Sequence, residues 1–320
     1  MKKSGWMALK GMLTVVLIIA AARLASYGAG LVREKEQLKE LQQEMRHAEE
    51  SISSVEKRKT EKEEISVTAK TGEASGAEHV EAKAFKTESS TVENPVTEYS
   101  KAGSGTGAKE VTDGAIPKEN TDGSPPVNAE RFSEFTKRNP DFAGWLRIDE
   151  TSIDYPVMRD PEEADFYLHH DFEKKESKSG IPYLAKDCTP DSDSLLIYAH
   201  NMKNGTMFSG LINYSEEAYY QEHPVIEFDT LQGNGTYAIL AVFREKVHFQ
   251  DEQDVFRYYN YCGDLTEIEF NTYVETIKEI SLYNTGRTAV YGQQLLALST
   301  CSYHTENGRF VVVAVKENPN

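Results

Sequence analysis

A mostly β domain with helical insertions, set behind an N-terminal membrane helix, a short heptad helix and a polar tether, is the architecture this sequence predicts. Three observations carry the prediction. Short apolar runs rich in β-branched residues recur between residues 144 and 315, separated by Gly, Pro, Asn and Asp. An uncharged run covers residues 11–22 near the N-terminus. Between residues 60 and 127 the chain is dominated by Glu, Lys, Thr, Ser, Gly and Ala.

Composition narrows the function classes. The net charge of −17 opposes a nucleic-acid partner, because phosphate needs a basic footprint. Three cysteines without metal-ligand spacing do not suggest a disulfide scaffold. Cys188 and Cys262 read as spectators, with a bond between them left open. No Gly-rich phosphate loop, paired-His zinc motif or acidic calcium loop is present, so neither metal nor cofactor is implied.

Residues 1–31 form the first unit. Lys2, Lys3 and Lys10 precede the uncharged run and Arg23 follows it. That run is shorter than the about 20 residues a spanning helix prefers. Counted over residues 6–31, with Lys10 and Arg23 snorkelling to the interfaces, it is long enough. The preceding lysines put the N-terminus in the cytoplasm and the remainder outside, a single-pass topology at the cell membrane. The small residues Ala20 to Ala22 and Ala25-Ser26 also suit a cleaved signal peptide. An uncleaved signal anchor is the reading taken here.

In residues 32–59 the positions Leu38, Leu41, Met45, Ala48, Ile52 and Val55 alternate steps of three and four. That is a heptad seam, suited to a lone amphipathic stalk or a dimeric coiled coil. Residues 60–127, closing on Ser124-Pro125-Pro126, hold too little apolar surface to offset ordering entropy and read as a disordered linker.

The folded domain is expected over residues 128–320. Asn128 would cap a helix through Arg138 that buries Phe132 and Phe135, and Asn139-Pro140 would stop it. Strands are expected at 144–148, 153–158, 181–184, 195–199, 225–228 and 237–247, followed by a final pair. Helices are expected at 214–223 and 271–280. Many short strands with few helices point to a mixed β-barrel.

The final pair carries the chemistry. Leu295 to Cys301 and Arg309 to Val315 are two apolar runs around a short polar turn. Pairing as a hairpin would bring Cys301 and Arg309 to one rim, and period-two alternation puts Ser299 on the Cys301 face. Another apolar strand, 195–199, ends at His200. A thiol, an imidazole and a guanidinium at strand ends suit a nucleophile, a proton carrier and an anion stabiliser. His304 is nearer in sequence but lies in the turn. The adjacent pair His169 and His170 would face opposite ways on a strand, which fits a structural role.

Leu298-Ser299-Thr300-Cys301 with Arg309 eight residues on, together with Tyr198 to Met202, resembles the signature of sortases, class B in particular. Asn139 to Leu146, Ile153 to Val157 and Tyr167 to Phe172 resemble further class B blocks. Ala199 stands where the family usually has Gly and Ala297 where it commonly has Thr; neither change removes a reactive group. The resemblance implies an eight-stranded sortase-type barrel and a helix inserted before the cysteine strand. It implies a cysteine transpeptidase acting through Cys301, His200 and Arg309, with Leu168 at an apolar substrate-groove position; Ser299, on the Cys301 face, is a further candidate to contact the substrate, and a packed or solvated role suits both residues equally. The implied partners are surface proteins bearing a sorting signal akin to Asn-Pro-x-Thr, and a peptidoglycan precursor or cross-bridge amine. Two other readings stay open on the residues alone: a papain-like cysteine peptidase, and an inactive surface-tethered binding module.

Overall fold

The computed structural model describes residues 2–71 and 126–317, with side chains in the first helix described over residues 12–54 and at Lys57 and Arg58. The chain divides into one body comprising Met1–Glu50 with Ile116–Asn320, and a second unit, Ser51–Ala115. Most of the expected linker lies outside the described residues. Its first part does not: helix α1, Lys2–Thr71, continues past residue 60. That stretch opens on Glu61, Lys62, Glu63 and Glu64, which are good helix formers.

Eight strands form the closed barrel of the first body, as expected. In chain order they are β1 (Phe142–Arg147), β2 (Asp154–Met158), β3 (Tyr183–Leu184) and β4 (Ser194–Tyr198), then β5 (Val225–Thr230), β6 (Thr236–Lys246), β7 (Leu295–Cys301) and β8 (Gly308–Lys316). Their order around the barrel is β1-β2-β3-β4-β7-β8-β6-β5. Closure leaves no open edge, which is the usual solution for a sheet that must satisfy every backbone group. The β4–β7 pair is parallel and sits between antiparallel neighbours. Strand β7 is buried along almost its whole length, which explains its continuous Leu-Leu-Ala-Leu run.

The helices depart from expectation at their ends. Helix α2 is only Ser133–Arg138, and Phe132 and Phe135 are buried as expected. Asn128 does not cap it; its side-chain amide donates instead to the Thr230 carbonyl at 2.7 Å and to Asn234 Oδ1 at 3.0 Å. The expected helix 214–223 is a 3-10 segment, Phe208–Ser215, running into α3, Glu217–Glu222. Helix α4, Glu267–Glu279, starts four residues before the expected 271. A reciprocal Thr266/Glu269 capping box fixes its start, an arrangement that contributes about 1 kcal/mol. The helix buries Phe270, Tyr273, Val274 and Ile277.

The heptad seam has a partner within the chain. Leu38, Leu41 and Met45 are buried in the same hydrophobic cluster as the barrel residues. Polar contacts flank them: Gln42 Nε2 donates to the Asp154 carbonyl at 2.8 Å, and Arg147 meets Glu49 at 3.2 Å. An apolar stripe states how much surface must be covered but not by what, and here a barrel wall covers it.

Candidate active site

Two parallel strands deliver the candidate residues to one end of the barrel. In the β4–β7 register Tyr198 lies opposite Ser299. His200 and Cys301 each follow two residues later, so both emerge at the same rim. Three hydrogen bonds fasten the strand ends. The Ala199 amide donates to the Ser299 carbonyl at 3.3 Å, Thr300 Oγ1 to the Ala199 carbonyl at 2.8 Å, and Asn201 Nδ2 to the Cys301 carbonyl at 3.0 Å. On the other side of β7, antiparallel β8 sets Arg309 directly opposite Cys301. The hairpin expected from the sequence therefore forms in the expected register.

A cavity of about 340 Å³ opens at this rim, and Leu168, His200, Ser299, Cys301 and Arg309 all line it. All five residues singled out in the sequence thus share one site. Asp165, Tyr183, Tyr198, Val247, Tyr258 and Tyr259 complete much of the wall, and the sequence reading missed them. Dispersed tyrosines in loops and short strands carry no periodic signal that would have gathered them.

His200 is half-buried, and its Nε2 lies 3.0 Å from the Leu168 carbonyl. A carbonyl only accepts, so Nε2 carries the proton and Nδ1 of the neutral ring is the free base. Burial holds the His200 pKa below its ordinary value, and the neighbouring His169 imidazole lowers it further against the opposing Leu168 contact. No carboxylate hydrogen-bonds the His200 ring among the described residues.

Leu168 thus meets the site through its backbone as well as its side chain. It ends a 3-10 turn, Phe166–Leu168, not the strand assumed for His169 and His170. His170 stacks on Phe166 at 3.8 Å, while exposed His169 lies 6.1 Å from His200, ring centre to ring centre. The turn is seated on Gly180, whose φ of +55° is in the left-handed region. A Cβ there would approach the Leu168 carbonyl oxygen to 2.4 Å. Glycine satisfies both the conformation and the close approach.

Ser299 is fully buried, and its hydroxyl pairs with the Tyr258 hydroxyl at 2.8 Å. Burial pushes the Tyr258 pKa up to about 12, partly offset by its contacts with Ser299 and Arg309. The Arg309 guanidinium donates from one nitrogen to the Gly308 carbonyl at 3.1 Å and the Asn307 carbonyl at 3.3 Å. His304 pairs with Ser302 in the turn at 2.9 Å and is absent from the cavity wall. Cys188 and Cys262 are free thiols that face each other away from this cavity. Among the described residues, no cluster of His, Cys, Asp and Glu is suited to hold a metal.

A family model described as the sortase domain matches residues 146–317, more than half of the chain. The chain belongs to the sortase family. Sortase B of Listeria monocytogenes is 29% identical over 195 residues, which are 58% of this chain and 75% of that relative. A mutant form of Clostridium perfringens sortase B aligns with TM-score 0.53 and 26% identity, covering 60% of this chain and 88% of that one. A Staphylococcus aureus sortase B-substrate complex shares the fold, with TM-score 0.51 and 23% identity over 59% of this chain and 86% of that one. These relatives place the sortase in class B, and its enzyme class is cysteine transpeptidase. The papain-like and binding-module readings give way to it. Cys301 also ends a barrel strand, whereas a papain-like nucleophile would begin a helix.

Proposed function

We propose that this sortase is a membrane-anchored enzyme that cleaves the C-terminal sorting signal of surface proteins after Thr and joins the acyl group to a cell-wall amine. The observation that carries the reading is the single cavity lined by Cys301, His200 and Arg309. In the first step the Cys301 sulfur attacks the threonyl carbonyl carbon. The S–C bond forms, the C–N bond breaks, and the thiol proton reaches the departing amine by way of His200. In the second step an amine attacks the thioester, its proton returns through His200, and the thiol is regenerated. Arg309 stays protonated throughout and cannot act as a base. Its donors face developing charge on the carbonyl oxygen, a contribution of about 3 kcal/mol by the standard of other oxyanion donors.

Ser299 and Leu168 line the groove for the signal, which in class B resembles Asn-Pro-x-Thr. The acceptor is an amine of a peptidoglycan precursor or cross-bridge. Helix α1 supplies the anchor, since it contains a stretch long and apolar enough to cross a membrane. With Lys2 and Lys3 on the cytoplasmic side, the barrel lies outside the cell.

Mass spectrometry of the chain incubated with a sorting-signal peptide library and an amine acceptor tests the reading. A joined product that disappears in Cys301→Ala is expected. Release of the free acid alone, with acceptor in excess, would overturn the transfer step.

A further inference from the structure

The way α1 lies along the barrel orders the two barrel ends relative to the apolar segment. Near Tyr27 and Glu34 the helix touches the Ser177–Gly180 loop. Lys178 Nζ sits 3.8 Å from the centre of the Tyr27 ring. The Lys178 amide and the Ser179 hydroxyl donate to the Glu34 carboxylate at 3.0 and 2.6 Å. This loop adjoins the candidate active site, because Gly180 packs against the Leu168 carbonyl that holds His200.

Further along, the same helix meets the opposite barrel end. Arg46 faces Asp154 at 3.9 Å, and Glu49 faces Arg147 at 3.2 Å and Arg131 at 4.0 Å. At 1.5 Å per residue, Glu49 lies about 22 Å further along the axis than Glu34. The strand registers agree with this order. Met158, Tyr183 and Tyr198 are neighbours at the active-site end, while Arg147 pairs with Asp154 at the other.

After Arg23 the chain has no charge until Arg33, so Tyr27 lies at the depth of an interfacial aromatic and Glu34 just beyond it. The loop beside them exposes Lys174, Lys175 and Lys178, interleaved with the exposed carboxylates of Glu173 and Glu176. Lys174 is shared with Asp141 at 2.7 Å; Lys178 lies over Tyr27. The charges of this edge balance locally, so the contacts of the loop with Tyr27 and Glu34 are what fix the depth of this barrel end.

We propose that α1 is a docking helix as well as an anchor: its contacts with the Ser177–Gly180 loop turn the Leu168–His200 rim toward the bilayer. The inference rests on the membrane-anchor reading given above. Its consequence is that the candidate nucleophile works close to the membrane, and the Arg131 end of the barrel points away.

Energy transfer to a headgroup-linked acceptor tests this in the full chain. The vesicles are phosphatidylcholine with a minority of phosphatidylglycerol. One sample carries Cys188→Ala and Cys262→Ala with a donor on Cys301; the other adds Cys301→Ala and carries the donor at Glu130→Cys, beside Arg131. Stronger transfer from Cys301 is expected, and equal or reversed transfer in chains that float with the vesicles overturns the docking orientation. A chain that fails to float overturns the anchor reading itself, and the inference with it.

Discussion

The two walls of the candidate site are built in different ways. Cys301 and Arg309 stand opposite each other because a β-hairpin places them so, and their register repeats along seven paired positions of β7 and β8. His200 is two residues beyond the end of β4 and is held by three contacts from outside that strand. These are the Leu168 carbonyl on the imidazole, the Gly180 seat beneath Leu168, and the Asn201 amide bridging to the Cys301 carbonyl. Redundant backbone bonding makes the first wall tolerant of single changes. The second wall depends on each contact separately, so it is where small substitutions should act on chemistry.

The first wall has one replacement it cannot absorb. Cys301→Ala leaves the β7–β8 ladder whole but removes the only sulfur among the described residues that line the cavity, so transfer should fall by at least about a thousandfold with an unchanged melting temperature. A similar loss accompanied by unfolding would mean that the hairpin is less robust than its register suggests.

Gly180→Ala probes the second wall most severely. The new methyl would meet the Leu168 carbonyl at 2.4 Å in a left-handed conformation, so the loop must move. A destabilisation of about 2 kcal/mol is expected, with a rate loss of about thirtyfold as His200 loses its fixed tautomer. Thermal melts read the first effect and single-turnover kinetics the second. Loss of stability with normal kinetics would break the comparison, because it would detach Leu168 from the function of His200.

How much of this was legible in the sequence follows the same division. Alternation and turn chemistry announce β7 and β8, so Cys301, Arg309 and the face of Ser299 could be placed from residue types alone. His200 was legible as a polar residue ending an apolar strand. Leu168 was picked for its side chain, but its sharpest contact is made by a carbonyl, and a carbonyl carries no residue-type signal. The seam Leu38–Leu41–Met45 was legible as a stripe needing cover. Its cover, a barrel wall more than a hundred residues away in sequence, was not, because a stripe fits a second helix equally well. The start of α4 was readable in Thr266-x-x-Glu269, four residues before the expected 271.

Asn201→Ala sharpens the comparison at smaller amplitude. It removes one bond between the walls, worth about 1 kcal/mol, so a fall in kcat/KM of about fivefold is expected. The pH profile should keep its shape, since the His200 ring retains its Leu168 contact. Tyr258→Phe should do less still. The Ser299 hydroxyl loses its partner at a cost of about 1 kcal/mol in stability, while the turnover number stays within about threefold. A tenfold rise in KM alone would show that the Tyr258–Ser299 pair touches the signal directly.

The finest test concerns protons. Burial, then His169, keeps the His200 pKa below its ordinary value, so the folded state prefers the neutral ring. As pH falls below about 6.5, the unfolded chain takes up this proton first, and folding stability declines until the folded ring titrates as well. Above that window the group contributes no slope. His200→Gln should therefore flatten the acid side of the melting-temperature profile, leaving only the carboxylate titrations at lower pH. The rate profile follows the same ring, and its acid limb should lie below the usual histidine value. His169→Ala removes the lesser of the two lowering causes, so that limb should move upward in pH while the maximal rate holds. A limb that stays in place would assign the depression to burial alone and reduce His169 to a solvated neighbour. A limb that moves would show that the second wall sets the proton affinity of its imidazole through a side chain the strand ladder never touches.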